Sequence, residues 1–172
     1  MIVRRAGVAD VSEAARIVAA VAPEGFLGAQ PPVDVEHRTQ RFREIVERGH
    51  PAGLWVLEDA QGRQIGHAAV EETTPGVLTI GMAVLAEARG RGGGRALLAA
   101  VQEHARTSDA HKISLEVWTD NSRAIALYAA AGFEVEGLRR DHYRRREGSL
   151  RSTLIMAWRA DTAREDRAVV GN

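Results

Sequence analysis

Between residues 77 and 106 the chain changes period, and it does so across a run of glycine. Val77 to Leu85 reads as a strand, Arg89-Gly90-Arg91-Gly92-Gly93-Gly94-Arg95 follows, and from Gly92 to Arg106 the apolar residues Leu97, Leu98, Val101 and Ala105 share one helical stripe. A strand that breaks into a glycine turn and re-emerges as a helix points to a layered α/β architecture. Glycine lets the backbone turn sharply and approach a ligand closely, and the first turn of a helix carries unpaired N–H groups that attract anions. The turn is therefore a candidate phosphate cradle, with three arginines available for charge-assisted contacts. A plain glycine corner between strand and helix is the alternative.

The flanking sequence supplies the layers. Ile2-Val3-Arg4-Arg5 opens as a short strand, and Asp10 or Ser12 can cap a helix through Val11, Ala14, Ala15, Ile17 and Val18. A loop with Pro23, Gly25, Gly28, Pro31 and Pro32 carries Phe26 and Leu27, before a charged helix from about Asp34 to Arg48 that Gly49 ends. Gly53 to Glu58, Gln64 to Glu72 and Val77 to Leu85 then form an antiparallel meander, divided by turn residues. Lys112 to Trp118 is the next strand. Asp120-Asn121-Ser122 caps a helix that runs to about Ala131, and Phe133 to Leu138 and Ser149 to Trp158 close the order β-α-α-β-β-β-α-β-α-β-β. The expected fold is one α/β domain over 1–159, a mixed and mostly antiparallel sheet of about seven strands with helices on both faces. Residues 160–172 read as a charged tail that is ragged or helical.

Composition narrows the function. The 172 residues suit one domain, and 45% hydrophobic with 27% charged residues is ordinary for a globular chain. Lys+Arg and Asp+Glu are each 23, which disfavours nucleic acid or a membrane surface as the partner of the whole molecule. There is no cysteine, so disulfides, thiolate zinc sites and a cysteine nucleophile are excluded. The six histidines lack metal-ligand spacing, and no metal is assigned. No apolar run approaches the ~20 residues of a membrane helix, and Asp10 and Glu13 interrupt what would be a signal peptide's apolar region, so a cytoplasmic location is expected.

Register limits which phosphate ligand the glycines suit. A P-loop needs Lys and Ser/Thr after its last glycine, and neither is present. The dinucleotide fingerprint fails too, since its third glycine would fall on Arg95 or Leu97. The arrangement Arg89-x-x-Gly92-x-Gly94 after Gly81-Met82-Ala83-Val84 instead resembles the pyrophosphate-binding segment of the GNAT superfamily of acyl-CoA-dependent N-acyltransferases. Leu115-Glu116-Val117 followed by Asn121, Ala124, Leu127-Tyr128 and Gly132-Phe133 is similar to the superfamily's second signature, in the family order. Two positions depart from the pattern: Ala86 stands for the usual Pro, and Gly93 for a large apolar residue. The added glycine predicts a looser loop, by ~0.5–1 kcal/mol of ordering relative to Ala.

The resemblance implies acetyl-CoA as co-substrate. Met82, Ala83 and Val84 would pair by backbone with the pantetheine arm, and the N–H groups of Arg89, Gly90, Arg91, Gly92, Gly93, Gly94 and Arg95 would hold the pyrophosphate. Strand alternation puts Ile113, Leu115 and Val117 on one face and Ser114, Glu116 and Trp118 on the other. A carboxylate in so apolar a strand is costly unless it has a partner or a task; Glu116 is a candidate general base or a rim glutamate paired to an arginine. Asn121 and Tyr128 lie two helical turns apart and face the same way, as cap and core aromatic or as site residues. In the ribosomal-protein alanine N-acetyltransferases, which this segment resembles, the matching Glu is the base and the matching Tyr the acid, while Asn121 would contact pantetheine.

The reading that follows is direct acetyl transfer to a primary amine in a ternary complex, the acceptor being a small molecule or a protein N-terminus. A noncatalytic acyl-CoA-binding module of the same fold is the alternative, and a nucleotide-binding protein the third choice. Glu71 and Glu72 are reserve bases. Arg139 to Arg146 packs five arginines and a tyrosine into eight residues, either receiving an acidic acceptor or forming a solvated hairpin end paired with acidic residues of the tail. A homodimer is expected by analogy alone.

Overall fold

The computed structural model describes residues 1–160. The expected tail lies, from residue 161 on, outside the described residues. Strands β1 (Ile2–Arg5), β2 (Gly53–Glu58), β3 (Gln64–Thr74), β4 (Val77–Val84), β5 (Lys112–Trp118), β6 (Glu134–Arg144) and β7 (Leu150–Arg159) form one sheet in the order β1-β2-β3-β4-β5-β7-β6. Every neighbouring pair is antiparallel except β4 and β5.

Parity along the strands divides the core. Trp55 and Leu57 of β2 and Leu115 and Val117 of β5 face α3 (Gly93–Arg106), which buries Leu97, Leu98, Val101 and Ala105 against them. On the opposite face Leu54 packs with Val11, Ala14, Ala15 and Val18 of α1 (Val11–Val21) and with Phe42 and Ile45 of α2 (Val35–Arg48). Ile125, Leu127 and Tyr128 of α4 (Ser122–Ala130) pack on the α3 side. The sheet is thus covered on both faces.

Two local expectations change, and one helix start gains its cap. Asp10 stands at the start of α1 but does not cap it; its carboxylate takes the Gly7 N–H at 2.8 Å and both guanidinium nitrogens of Arg4, which hold its pKa below the usual carboxylate value. Asp34 does cap α2, accepting from the His37 N–H at 2.9 Å. The segment Arg139 to Arg144 is strand rather than turn, because β6 continues past two bulges, and the reversal is confined to residues 145–149.

Candidate active site

A gap in the sheet organises the site. β4 and β5 pair over three residues only, Val77–Thr79 with Lys112–Ser114; beyond them β4 stays with β3 and β5 with β7. The edge of β4 from Ile80 to Val84 is left without a strand partner. The Leu85 N–H bonds the Ile65 carbonyl at 3.0 Å, so by antiparallel alternation the backbone groups of Ala83 also point to β3, while those of Met82 and Val84 face the gap. Arg89 Nε donates to the Val84 carbonyl at 2.8 Å, which leaves the Val84 N–H and both backbone groups of Met82 for a ligand.

The glycine turn closes one end of this gap. Gly90 and Gly92 take φ of +74° and +86°, open to glycine at little cost. The Arg89 N–H bonds Ala86 and the Ala96 N–H is the first to bond Gly92. Between them the N–H groups of Gly90 through Arg95 meet no protein acceptor among the described residues, which leaves six donors free at a helix N-terminus. Of the three arginines, Arg89 spends its charge on Glu24, at 2.7 and 2.9 Å, and fastens the turn. Arg91 and Arg95 are exposed and pair with no other described residue. The expectation that Gly93 loosens the loop is corrected: Gly93 is buried, and a Cβ there would stand 2.5 Å from Cδ2 of Leu57. Glycine at 93 lets α3 seat on the sheet.

Glu116 projects from β5 on the α1/α2 side. Its side chain is 31% exposed, not internal. Arg139 pairs with Oε1 at 2.8 Å, and the hydroxyls of Tyr143 and Thr153 both donate to Oε2 at 2.8 Å. Three of a carboxylate's roughly four acceptor positions are filled, which leaves about one on Oε1. The arginine pairing weighed from the sequence is present, and so is an open wall: Glu116, Trp118 and Tyr143 line a cavity of about 200 Å³ under Phe26 and Gln30. Tyr143, Thr153 and Arg139 were not singled out from the sequence as partners of Glu116. The β6 bulges, with Asp141 at φ +48°, re-aim Tyr143 and erase the alternation that would have revealed it.

Tyr128 lies on the other face, with its ring 5.8 Å from Phe133 and no hydrogen bond to its phenol among the described residues. Burial pushes its pKa up to about 12. Asn121 caps α4, its side-chain oxygen accepting from the Ala124 N–H at 3.2 Å. Glu116 and Tyr128 therefore flank the gap from opposite faces of the sheet. Of the reserve bases, Glu71 is held by Arg41 at 2.9 Å and Arg48 at 3.1 Å, and Glu72 accepts from the Gly76 N–H at 2.8 Å. Among the described residues no His, Asp and Glu cluster suits a metal, and no helix is long and apolar enough to cross a membrane.

The model of the acetyltransferase (GNAT) family matches residues 22–133. The chain is 30% identical over 141 residues to the L-methionine sulfoximine/L-methionine sulfone acetyltransferase of Pseudomonas aeruginosa, covering 78% of this chain and 81% of that protein. Its fold matches the ribosomal-protein-alanine N-acetyltransferase of Brucella melitensis with a TM-score of 0.82 and 26% identity, covering 93% of this chain and 100% of that one. A phosphinothricin acetyltransferase of Sinorhizobium meliloti in complex with acetyl-CoA matches at a TM-score of 0.78 and 23% identity, over 92% and 87% of the two chains.

Proposed function

The chain belongs to the acetyltransferase (GNAT) family and is an acetyl-CoA-dependent N-acetyltransferase, and from that premise we propose that it acetylates an amino-acid-sized primary amine held against Glu116. The observation that carries this reading is the cavity of about 200 Å³, with one carboxylate acceptor position open in its wall. That volume is below the ~300–1,000 Å³ of pockets for drug-sized ligands, so an aminoglycoside is too large to be enclosed. Exposed Arg144 at its rim suits an acceptor carboxylate, in keeping with the amino-acid analogues in the name of the Pseudomonas relative. The likeness to the Brucella enzyme favours a second reading, in which the amine is the N-terminus of a polypeptide.

In the proposed reaction acetyl-CoA lies in the β4/β5 gap, its pantetheine arm on Met82 and Val84, its pyrophosphate on the N–H groups of Gly90 to Arg95 and its arm contacted by Asn121. The ammonium gives one proton to Glu116, directly or through a water. Its nitrogen attacks the acetyl carbonyl, whose oxygen the Met82 N–H polarises. The C–S bond then breaks and Tyr128 donates to the departing sulfur from the far face. A phenol held near 12 is a weaker acid than a thiol of about 8.5, so Tyr128 acts chiefly as a hydrogen-bond donor to the developing thiolate. The second proton shed by the attacking nitrogen balances the thiol, leaving amide, CoA and the proton on Glu116. The test is CoA release with acetyl-CoA and a panel of amino acids, methionine sulfone, polyamines and N-terminal peptides. Turnover confined to polyamines or peptides overturns the amino-acid reading.

A further inference from the structure

Three arginines of the β6–β7 hairpin, Arg145, Arg146 and Arg151, find partners in the α1–α2 loop. Arg151 donates to the Gly25 carbonyl at 2.6 Å, and Arg146 donates to the Pro31 carbonyl at 2.6 Å and through its backbone N–H to Gln30 Oε1 at 2.9 Å. Buried Arg145 reaches the Leu27 and Gly28 carbonyls at 3.4 Å, a weaker hold. All of these join residues more than a hundred positions apart. Arg151 does more than touch the loop. Its guanidinium lies 4.5 Å from the Trp118 ring and takes both carboxylate oxygens of Asp120, so one side chain ties the loop, the floor of the cavity and the turn before α4.

The tied segment is the one that roofs the cavity. Phe26 and Gln30 lie between the two fastening points, and Trp118 follows Glu116 by two residues on the same face of β5. A loop of this kind, rich in Gly and Pro and lacking helix or strand, depends on such contacts for its position. We propose that Arg151 and Arg146 are positioning residues that hold the Phe26–Gln30 roof over the acceptor cavity, and so set affinity for the amine and not for acetyl-CoA. The proposal rests on the cavity being the acceptor site. It also assigns Arg145, Arg146 and Arg151 a role in holding carbonyls of the protein's own loop.

The experiment uses the full chain as wild type, Arg151→Lys, Arg151→Met and Arg146→Ala, with Arg63→Ala as a control remote from the cavity. Lysine keeps the charge but cannot bind a carbonyl, a carboxylate and a ring together in the geometry of the planar guanidinium. One readout needs no acceptor: the rate of chymotryptic cleavage after exposed Phe26. It is expected to rise about tenfold in the Arg151 variants and not in Arg63→Ala, as expected for loss of hydrogen bonds from a charged donor. The other is the split of Michaelis constants with methionine sulfone as acceptor, where that for the amine rises about tenfold while that for acetyl-CoA stays constant. Unchanged cleavage overturns the strap. Faster cleavage with both constants rising alike overturns its assignment to the acceptor. Wild-type protein that transfers to no acceptor in the panel counts against the function proposed above, and the strap is then decided on cleavage and on whether methionine sulfone with acetyl-CoA protects Phe26 in wild type but not in Arg151→Lys.

Discussion

The phenol of Tyr143 donates to Oε2 of Glu116 across 2.8 Å, and the same oxygen takes the hydroxyl of Thr153. Burial and this bond raise the phenol above its ordinary pKa, so Tyr143 stays a donor through the neutral range. The carboxylate is thereby fixed in one rotamer with its free position on Oε1. Glu116→Gln is expected to lower kcat/KM by about 10²–10⁴ without changing the thermal shift given by acetyl-CoA. Tyr143→Phe, which removes aim but not charge, is expected to cost about tenfold. Equal turnover by wild type and Glu116→Gln in a CoA-release assay would remove Glu116 from the chemistry.

Tyr128→Phe separates catalysis from packing. The phenol has no hydrogen bond among the described residues, so losing it leaves the melting temperature unchanged or slightly higher. kcat is expected to fall about 10–100-fold as the departing sulfur loses its donor. The wild-type protein carries a further signature. With Tyr128 near 10 when unfolded and about 12 when folded, the folded state binds more protons between those values. Stability therefore falls as pH rises from about 10 to about 12, and Tyr128→Phe is expected to lack that component in pH-dependent denaturation.

His67 makes the opposite statement at acid pH. It is buried in β3 against Phe42, with Nδ1 unpartnered among the described residues, and burial followed by the charge of Arg38 lowers its pKa to about 4. The unfolded chain binds the proton at about 6.5, so the stability due to neutral His67 is complete above that pH and is lost as pH falls toward 4. His67→Leu is expected to flatten this part of the curve, by about 3 kcal/mol over the window. The check is the difference in unfolding free energy between wild type and variant at pH 7 and pH 4.5; parallel curves would show that His67 titrates normally.

Gly93→Ala is expected to destabilise the fold by about 1–3 kcal/mol through overpacking against Leu57. In a Leu57→Val background the same change is expected to cost less, because the colliding methyl is gone. Gly92→Ala meets open space and is strained only by its positive φ. Denaturant titrations of the four proteins Leu57/Gly93, Leu57→Val, Gly93→Ala and the double variant measure the coupling, and a coupling of zero would place the clash elsewhere.

The elements were legible where local period and caps decide them. Alternation in Lys112 to Trp118 placed Glu116 opposite Leu115 and Val117, and the Asn121 cap and the Gly92 break were chemical signals in their own right. What the sequence hid depends on pairing between distant strands. Thr153 reaches Glu116 because β7 lies beside β5 in a register that sets Thr153 against Trp118, and Tyr143 arrives through bulges that break the count of two. The role of Gly93 required knowing that Leu57 lies beneath α3. The hold of Arg146 and Arg151 on the loop was hidden because the groups they bind there are carbonyls, which carry no mark in a sequence.

Three residue pairs are the whole parallel seam between β4 and β5. The molecule is therefore two half-sheets, β1 to β4 and β5 with β7 and β6, joined at one end like the covers of a book at a short spine. In the binding mode proposed above, a donor arm seated on Met82 and Val84 would add a partner to the open edge of the first half while its acyl end reaches the residues of the second. The co-substrate then becomes part of the scaffold, and at one hundred times its dissociation constant it contributes about 2.7 kcal/mol to the folded state. On that binding mode, release of CoA would remove the splint and leave the folded state less stabilised between catalytic cycles.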